Sequence, residues 1–158
     1  MFREITRFKQ ALPHNECIHL LESELRGVLA VSGDNGYPYT VPLNHFYNPE
    51  DGKLYFHSGK TGHKIDALRN DSKASYCVLD HGVRPENQWA YYFRSVIVFG
   101  KIEFIQDPDI IRQIARKLSL KFTDDEAYIQ HEIEKSGPST LLFALIPEHI
   151  TGKLVHEA

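Results

Sequence analysis

The run from Ala90 to Ile105 contains no proline, asparagine or aspartate and is rich in aromatic and β-branched residues. Such a composition reads as one long strand. Its two faces are both apolar as far as Phe99: Ala90, Tyr92, Arg94, Val96, Val98 and Gly100 alternate with Tyr91, Phe93, Ser95, Ile97 and Phe99. A strand of a small barrel turns only one face to the core. The second face of this one therefore needs a cover, and a helix or a second subunit are the candidates.

The rest of the chain supplies the partners of that strand. Asn15 is placed to cap a helix whose stripe is Cys17, Ile18, Leu20, Leu21 and Leu25. Arg26 to Ser32 reads as a strand, Gly33-Asp34-Asn35-Gly36 as a hairpin turn, and Tyr37 to Tyr47 as the returning strand. Pro38 and Pro42 lie inside that return, so it belongs at a sheet edge or at a bulge. Asn48 to Gly52 is a second turn, followed by strands over Lys53 to Ser58 and Lys73 to Asp80. Asp107-Pro108 opens a helix striped by Ile110, Ile111, Ile114, Ala115 and Leu118. Thr123 to Glu126 has the form of a capping box for another helix, which Ser136-Gly137-Pro138 stops, and Thr140 to Ile146 is a sixth strand. Hairpin-linked strands with helices set apart predict an α+β chain: a six-stranded antiparallel split barrel with peripheral helices, in one domain over residues 1–158.

Composition removes whole classes of function. A net charge of −3 gives no basis for general nucleic-acid or membrane-surface binding, and no apolar run approaches a transmembrane span. The first ten residues lack a signal-peptide core. Cys17 and Cys77 are far apart and form no C-x-x-C, which suits free thiols and predicts a cytoplasmic protein.

The chemistry concentrates between Leu54 and Leu68. There a strand ends in the loop His57-Ser58-Gly59-Lys60-Thr61-Gly62-His63-Lys64, and a helix begins. The loop carries hydroxyls, lysines and histidines but no acid, and a helix start offers unpaired N–H groups. It can seat a phosphate; equally, Gly, Ser and Lys furnish many solvated loops. Gly59-Lys60-Thr61 ends like a P-loop, but that motif needs glycine where Leu54 stands. Nine histidines show no metal-ligand spacing, since His131-Glu132 lacks the second histidine, so no metal site is expected. Ser58 has no Gly-x-Ser-x-Gly elbow, and no Gly-x-Gly-x-x-Gly follows a strand. Tyr91-Tyr92-Phe93-Arg94 could form a stacking platform for single-stranded nucleic acid, but the chain lacks the basic stripe such a groove needs. In Val41-Pro42-Leu43-Asn44 a proline frees neighbouring backbone groups from ladder pairing, and these can meet the polar edge of a flat heterocycle while Leu43 packs its face.

Thr40 to Asn44, Leu54 to Ser58 and Gly62 to Leu68, with Ser95 to Lys101 and Ile150-Thr151-Gly152-Lys153, resemble the flavin-binding split-barrel family. More narrowly, they are similar to the nitroimidazole-resistance branch of the pyridoxamine-phosphate-oxidase-like superfamily. The likeness runs from about Leu20 to Lys153. It implies a six-stranded split barrel, a homodimer, FMN at the subunit interface, and an oxidoreductase passing electrons to a small acceptor such as a nitroaromatic. By the same resemblance Ser58, Gly62, His63 and Lys64 hold the phosphate, and Val41, Pro42, Leu43 and Asn44 line the isoalloxazine. His57 lies near the ring as a substrate contact in the catalytic site, and Ser95 with Val96 reaches the flavin from the partner subunit. Vitamin B6 oxidation is not implied, because the chain ends Thr151-Gly-Lys-Leu-Val-His-Glu-Ala, without the arginine-rich tail of the true oxidases. Some relatives bind haem or F420 instead, and His149 and His156 keep haem open. The alternative function is a non-enzymatic flavin or haem binder used for storage or sensing.

Overall fold

The computed structural model describes residues 1–156. Its strands are β1 (Arg26–Ser32), β2 (Pro38–Asn44), β3 (Phe46–Asn48), β4 (Lys53–Gly59), β5 (Lys73–Leu79), β6 (Tyr92–Ile105) and β7 (Thr140–His156). The helices among the described residues are α1 (His14–Ser23), α2 (His63–Asn70), α3 (Pro108–Ser119) and α4 (Glu126–Ser136), with short 3-10 turns between elements. One antiparallel sheet runs in the order β2-β1-β5-β6-β7-β4-β3. The fold is α+β as expected, but the sheet has seven strands rather than six and does not close.

The extra strand comes from His45. The segment expected as one strand over Tyr37 to Tyr47 breaks there, because the His45 ring turns wholly inward. Its Nε2 meets the Leu21 carbonyl at 2.7 Å and its Nδ1 the Tyr76 hydroxyl at 3.0 Å. Before the break β2 pairs with β1; after it β3 pairs with β4 at the opposite edge. The chain thus bridges the split in the half-barrel at His45, and the curl of the sheet follows from that crossing.

The longest strands carry the frame. β6 pairs with β5 from Ser95 to Lys101 and with β7 along its whole length. The ladder slips between Phe99 and Gly100, which sit opposite His149 and Pro147, leaving Glu148 as the extra residue of a bulge. β7 runs ten residues beyond the expected end at Ile146, because β6 offers it a free edge all the way to Tyr92. Val96, Val98 and Ile102 point from β6 into the core with Leu29, Leu54, Phe56, Tyr76, Phe143 and Leu145. Cys17, Leu20 and Leu21 of α1 join that cluster.

The second face of β6 is covered only in part. At its far end Ile105 packs with Tyr55, Leu142 and Ala144 under Ile114 of α3. At the near end Ile97 and Phe99 remain about 40% exposed. The expected helix cover is therefore real for half of this face and absent from the other half.

Helix starts differ in detail from the sequence reading. α1 begins at His14 after Pro13, so Asn15 lies inside the first turn rather than at the cap. Asp107 caps α3 through the amides of Asp109 and Ile110. At α4 the cap is Asp125, whose side chain accepts from the Tyr128 amide, while Thr123 accepts from the Asp125 amide one turn earlier. Both cysteines are free.

Candidate functional site

The loop between β4 and α2 lies beside the β1–β2 hairpin. Gly62 precedes α2 with φ of 118°, a conformation that L side chains rarely adopt, and no side chain caps the helix. The Gly62 carbonyl accepts from Ile65 and Asp66. The amides of His63 and Lys64 have no carbonyl partner among the described residues and stay available to a ligand. A β-carbon added at Gly59 or Gly62 would meet nothing within 4 Å, so the space in front of the helix is open.

Lys64 is half-buried, and burial lowers its pKa. No carboxylate lies within ion-pair distance of it among the described residues. A partly desolvated ammonium with no anion is unusual, because burying a charge costs free energy unless it is paired. Ser58 lies near the end of β4, its hydroxyl donating to the Gly59 carbonyl at 3.0 Å. His63 faces the hairpin: its ring stacks on Tyr39 with centroids 4.1 Å apart, and its Nε2 accepts from the Asp34 amide at 3.3 Å.

β2 forms one wall of a cleft. His45 donates to the Leu25 carbonyl and Gly33 to the Tyr37 carbonyl, so the hydrogen-bonded pairs of this ladder are the odd residues. The backbone groups of Pro38, Thr40, Pro42 and Asn44 then face the free edge. Both prolines lose nothing there, which explains how they fit a regular strand; of the two placements open to them, sheet edge or bulge, the unbroken register shows the edge. The side chains of Tyr39, Val41 and Leu43 pack against the core.

The curl of the sheet brings β2 near β4, and an opening of about 360 Å³ lies between them, lined by Arg26, Pro42, Leu43, Asn44 and His57. Desolvation by the cleft walls, and then the Lys64 ammonium, hold the His57 pKa below its ordinary value. Arg26 stands across from Asn44, its Nε donating to Asn44 Oδ1 at 3.0 Å. Sequence reasoning took Arg26 only as the first residue of a strand. The four-residue turn expected at 33–36 would set residue 26 opposite residue 43; Gly33 instead pairs with Tyr37, the turn shortens to 34–36, and Arg26 comes to face Asn44.

Ser95 and Val96 lie elsewhere in the single chain. Ser95 pairs with Leu79 and Lys153, on β6, three strands from β2 in the sheet order, a distance of about 14 Å. Its side chain shares the outer face with Ile97, whereas Val96 is fully buried in the core. The structure thus brings Pro42, Leu43, Asn44 and His57 together, sets Ser58, Gly62, His63 and Lys64 at the adjoining loop, and leaves Ser95 apart. A larger hollow of about 610 Å³ opens on the outer face around Ala30, Ser75 and Phe99. Among the described residues no group of three His, Cys, Asp or Glu side chains could hold a metal ion.

An open antiparallel half-barrel with an uncapped helix at one end of a β2–β4 cleft defines a recognisable class. The pyridoxamine 5'-phosphate oxidase family matches residues 13–154, and the chain belongs to that family. Its fold is shared with a proposed 5-nitroimidazole antibiotic resistance protein from Bacteroides thetaiotaomicron, at TM-score 0.75 and 21% identity over 92% of this chain and 87% of that one. An FAD-binding protein from Mesorhizobium loti is 26% identical over 92% of this chain and 97% of its own, with TM-score 0.66. The FAD and haem binding protein from Mycobacterium smegmatis is 23% identical over 95% and 74%, with TM-score 0.73. No curated protein matches the chain in sequence.

Proposed function

We propose that the protein is a flavin-dependent oxidoreductase that holds FMN along β2, with the phosphate at the start of α2. The observation that carries this reading is Lys64, a partly desolvated ammonium without a carboxylate, beside the free amides of His63 and Lys64. Family membership and the flavin-binding relatives support it. Lys64, the Ser58 hydroxyl and the helix N-terminus neutralise the phosphate. His63, anchored on Tyr39, borders it and fixes the loop against the hairpin. Thr40, Pro42 and Asn44 offer edge backbone groups to the ring, while Val41 and Leu43 set their spacing from the core side.

When bound, the flavin supplies the electron transfer, and the protein supplies position and electrostatics. His57, whose pKa is held down by desolvation and then by the Lys64 ammonium, contributes an N–H at the open side of the cleft where a small acceptor such as a nitroaromatic would lie. Ser95 and the backbone of Val96 reach the flavin of a second copy, through the face that carries Ile97 and Phe99. A homodimer accounts for the bare half of that face.

Purified protein should be yellow, or should become so on adding FMN, with the absorbance bands of an oxidised flavin. A protein that takes up no flavin would refute the reading. The same spectrum tests haem: His149 Nε2 is buried and unpartnered among the described residues, and Phe2 stacks on its ring at 5.0 Å. A Soret band would favour that second reading. Flavin binding without turnover of any acceptor by reduced protein would leave a storage or sensing role.

A further inference from the structure

We propose that the β2–β4 cleft carries a second anion site, centred on Arg26, and that the substrate of the flavin site bears a carboxylate recognised there. The inference rests on the flavin reading for the word substrate, but its own support is independent of the cofactor.

Five residues line the cleft, and none is acidic. Asn44 Oδ1 holds Arg26 through Nε at 3.0 Å, which leaves both terminal guanidinium nitrogens free. No carboxylate lies within ion-pair distance of Arg26 among the described residues. Because Asn44 turns its oxygen toward Arg26, its amide nitrogen is presented as a further donor. His57 adds a ring N–H on the opposite wall. Guanidinium, amide and imidazole thus offer donors, and Pro42 and Leu43 supply an apolar surface between them. The complement is a flat apolar body with an acceptor-only anionic group, and a carboxylate matches the guanidinium fork in two parallel hydrogen bonds.

The phosphate of the flavin does not account for Arg26. The phosphate seat adjoins Tyr39 through the His63 stack, whereas Arg26 is held at Asn44, and Tyr39 and Asn44 are five residues, about 17 Å, apart along β2. Lys64, in the first turn of α2, neutralises the cofactor, and Arg26, in the opening itself, selects what approaches its ring.

The test compares benzoate with benzamide, which have the same size and shape but differ in charge. Their affinities are measured by calorimetry on FMN-loaded protein and on the same protein before loading. Benzoate should bind on the order of 10- to 100-fold more tightly than benzamide. In Arg26→Gln that preference should collapse toward unity, and Arg26→Lys should restore part of it as a point charge without the fork. Equal affinities in the native protein, or a preference that survives Arg26→Gln, would overturn the site. Benzoate selectivity in a protein that refuses FMN would refute the flavin reading yet leave the anion site standing. FMN uptake without selectivity would do the reverse.

Discussion

At the scale of single residues, the site and the core use opposite solutions for buried polar groups. Lys64 has no carboxylate within ion-pair distance among the described residues, which suits the phosphate contact proposed for it. Replacing it with alanine removes a charge-assisted contact of about 1.5–3 kcal/mol. Lys64→Ala is therefore expected to weaken FMN binding by about 10- to 100-fold, read by flavin fluorescence titration, and unchanged retention would exclude it as a phosphate ligand. His45, by contrast, is fully satisfied inside the fold, yet burial and the nearby Lys121 ammonium lower its pKa to about 4 against the pull of its Leu21 hydrogen bond. The unfolded chain takes up that proton near the ordinary 6.5, so the folded state binds fewer protons between the two values. Stability is then complete above about pH 6.5 and falls as pH drops toward 4, by on the order of 3 kcal/mol. Urea midpoints measured across that range check the sign, and a His45→Gln variant should flatten the dependence.

At the scale of elements, two glycines fix the shape of the frame. Gly100 sits at the bulge, where an added β-carbon would come far inside contact distance of the Ile146 carbonyl, a backbone atom that cannot swing away. Gly100→Ala should cost about 2 kcal/mol or more by overpacking and strain, visible as a lowered Tm. Gly62 poses the reverse problem: there is room for a methyl group, but φ is 118°. Gly62→Ala should therefore cost about 1 kcal/mol or more of stability through strain, and it should loosen the loop proposed to hold the phosphate, which the FMN dissociation constant would report. The strands that the sequence announced best are those whose neighbours match their length, such as β1, read over Arg26 to Ser32 and found there. Those misread are the ones whose limits are set from outside: β7 is extended by β6, and the Tyr37–Tyr47 segment is cut by the burial of His45.

At the scale of the whole molecule, the outer face is divided. α3 covers the half around Tyr55, Leu142 and Ile105, while Val28, Leu79, Ile97 and Phe99 stay between 37% and 51% exposed on the other half. Register aligns Pro42, Val28, Cys77, Ile97 and Thr151 across the sheet, so these side chains make a continuous, largely apolar band. Such a band on a small chain is a candidate interface, and the proposed homodimer would bury it. Ile97→Glu should shift the protein to monomers in light scattering and, since Ser95 lies on the same face, should lower FMN occupancy as well. A monomer that keeps its flavin would separate assembly from cofactor binding.

The sequence by itself determined the strand and helix types, the edge character of β2 and the polar loop before α2, because hydrophobic period, proline chemistry and turn composition are local properties. Its resemblance to a flavin-binding family was legible for the same reason: the motifs are short runs within single elements. Only the tertiary structure decided that the sheet has seven strands and stays open, because that depends on where the ring of His45 is buried. It also decided which half of the β6 face α3 covers, and that Arg26 meets Asn44 beside His57. Those facts join residues far apart in the chain through register and curl, which no local pattern encodes.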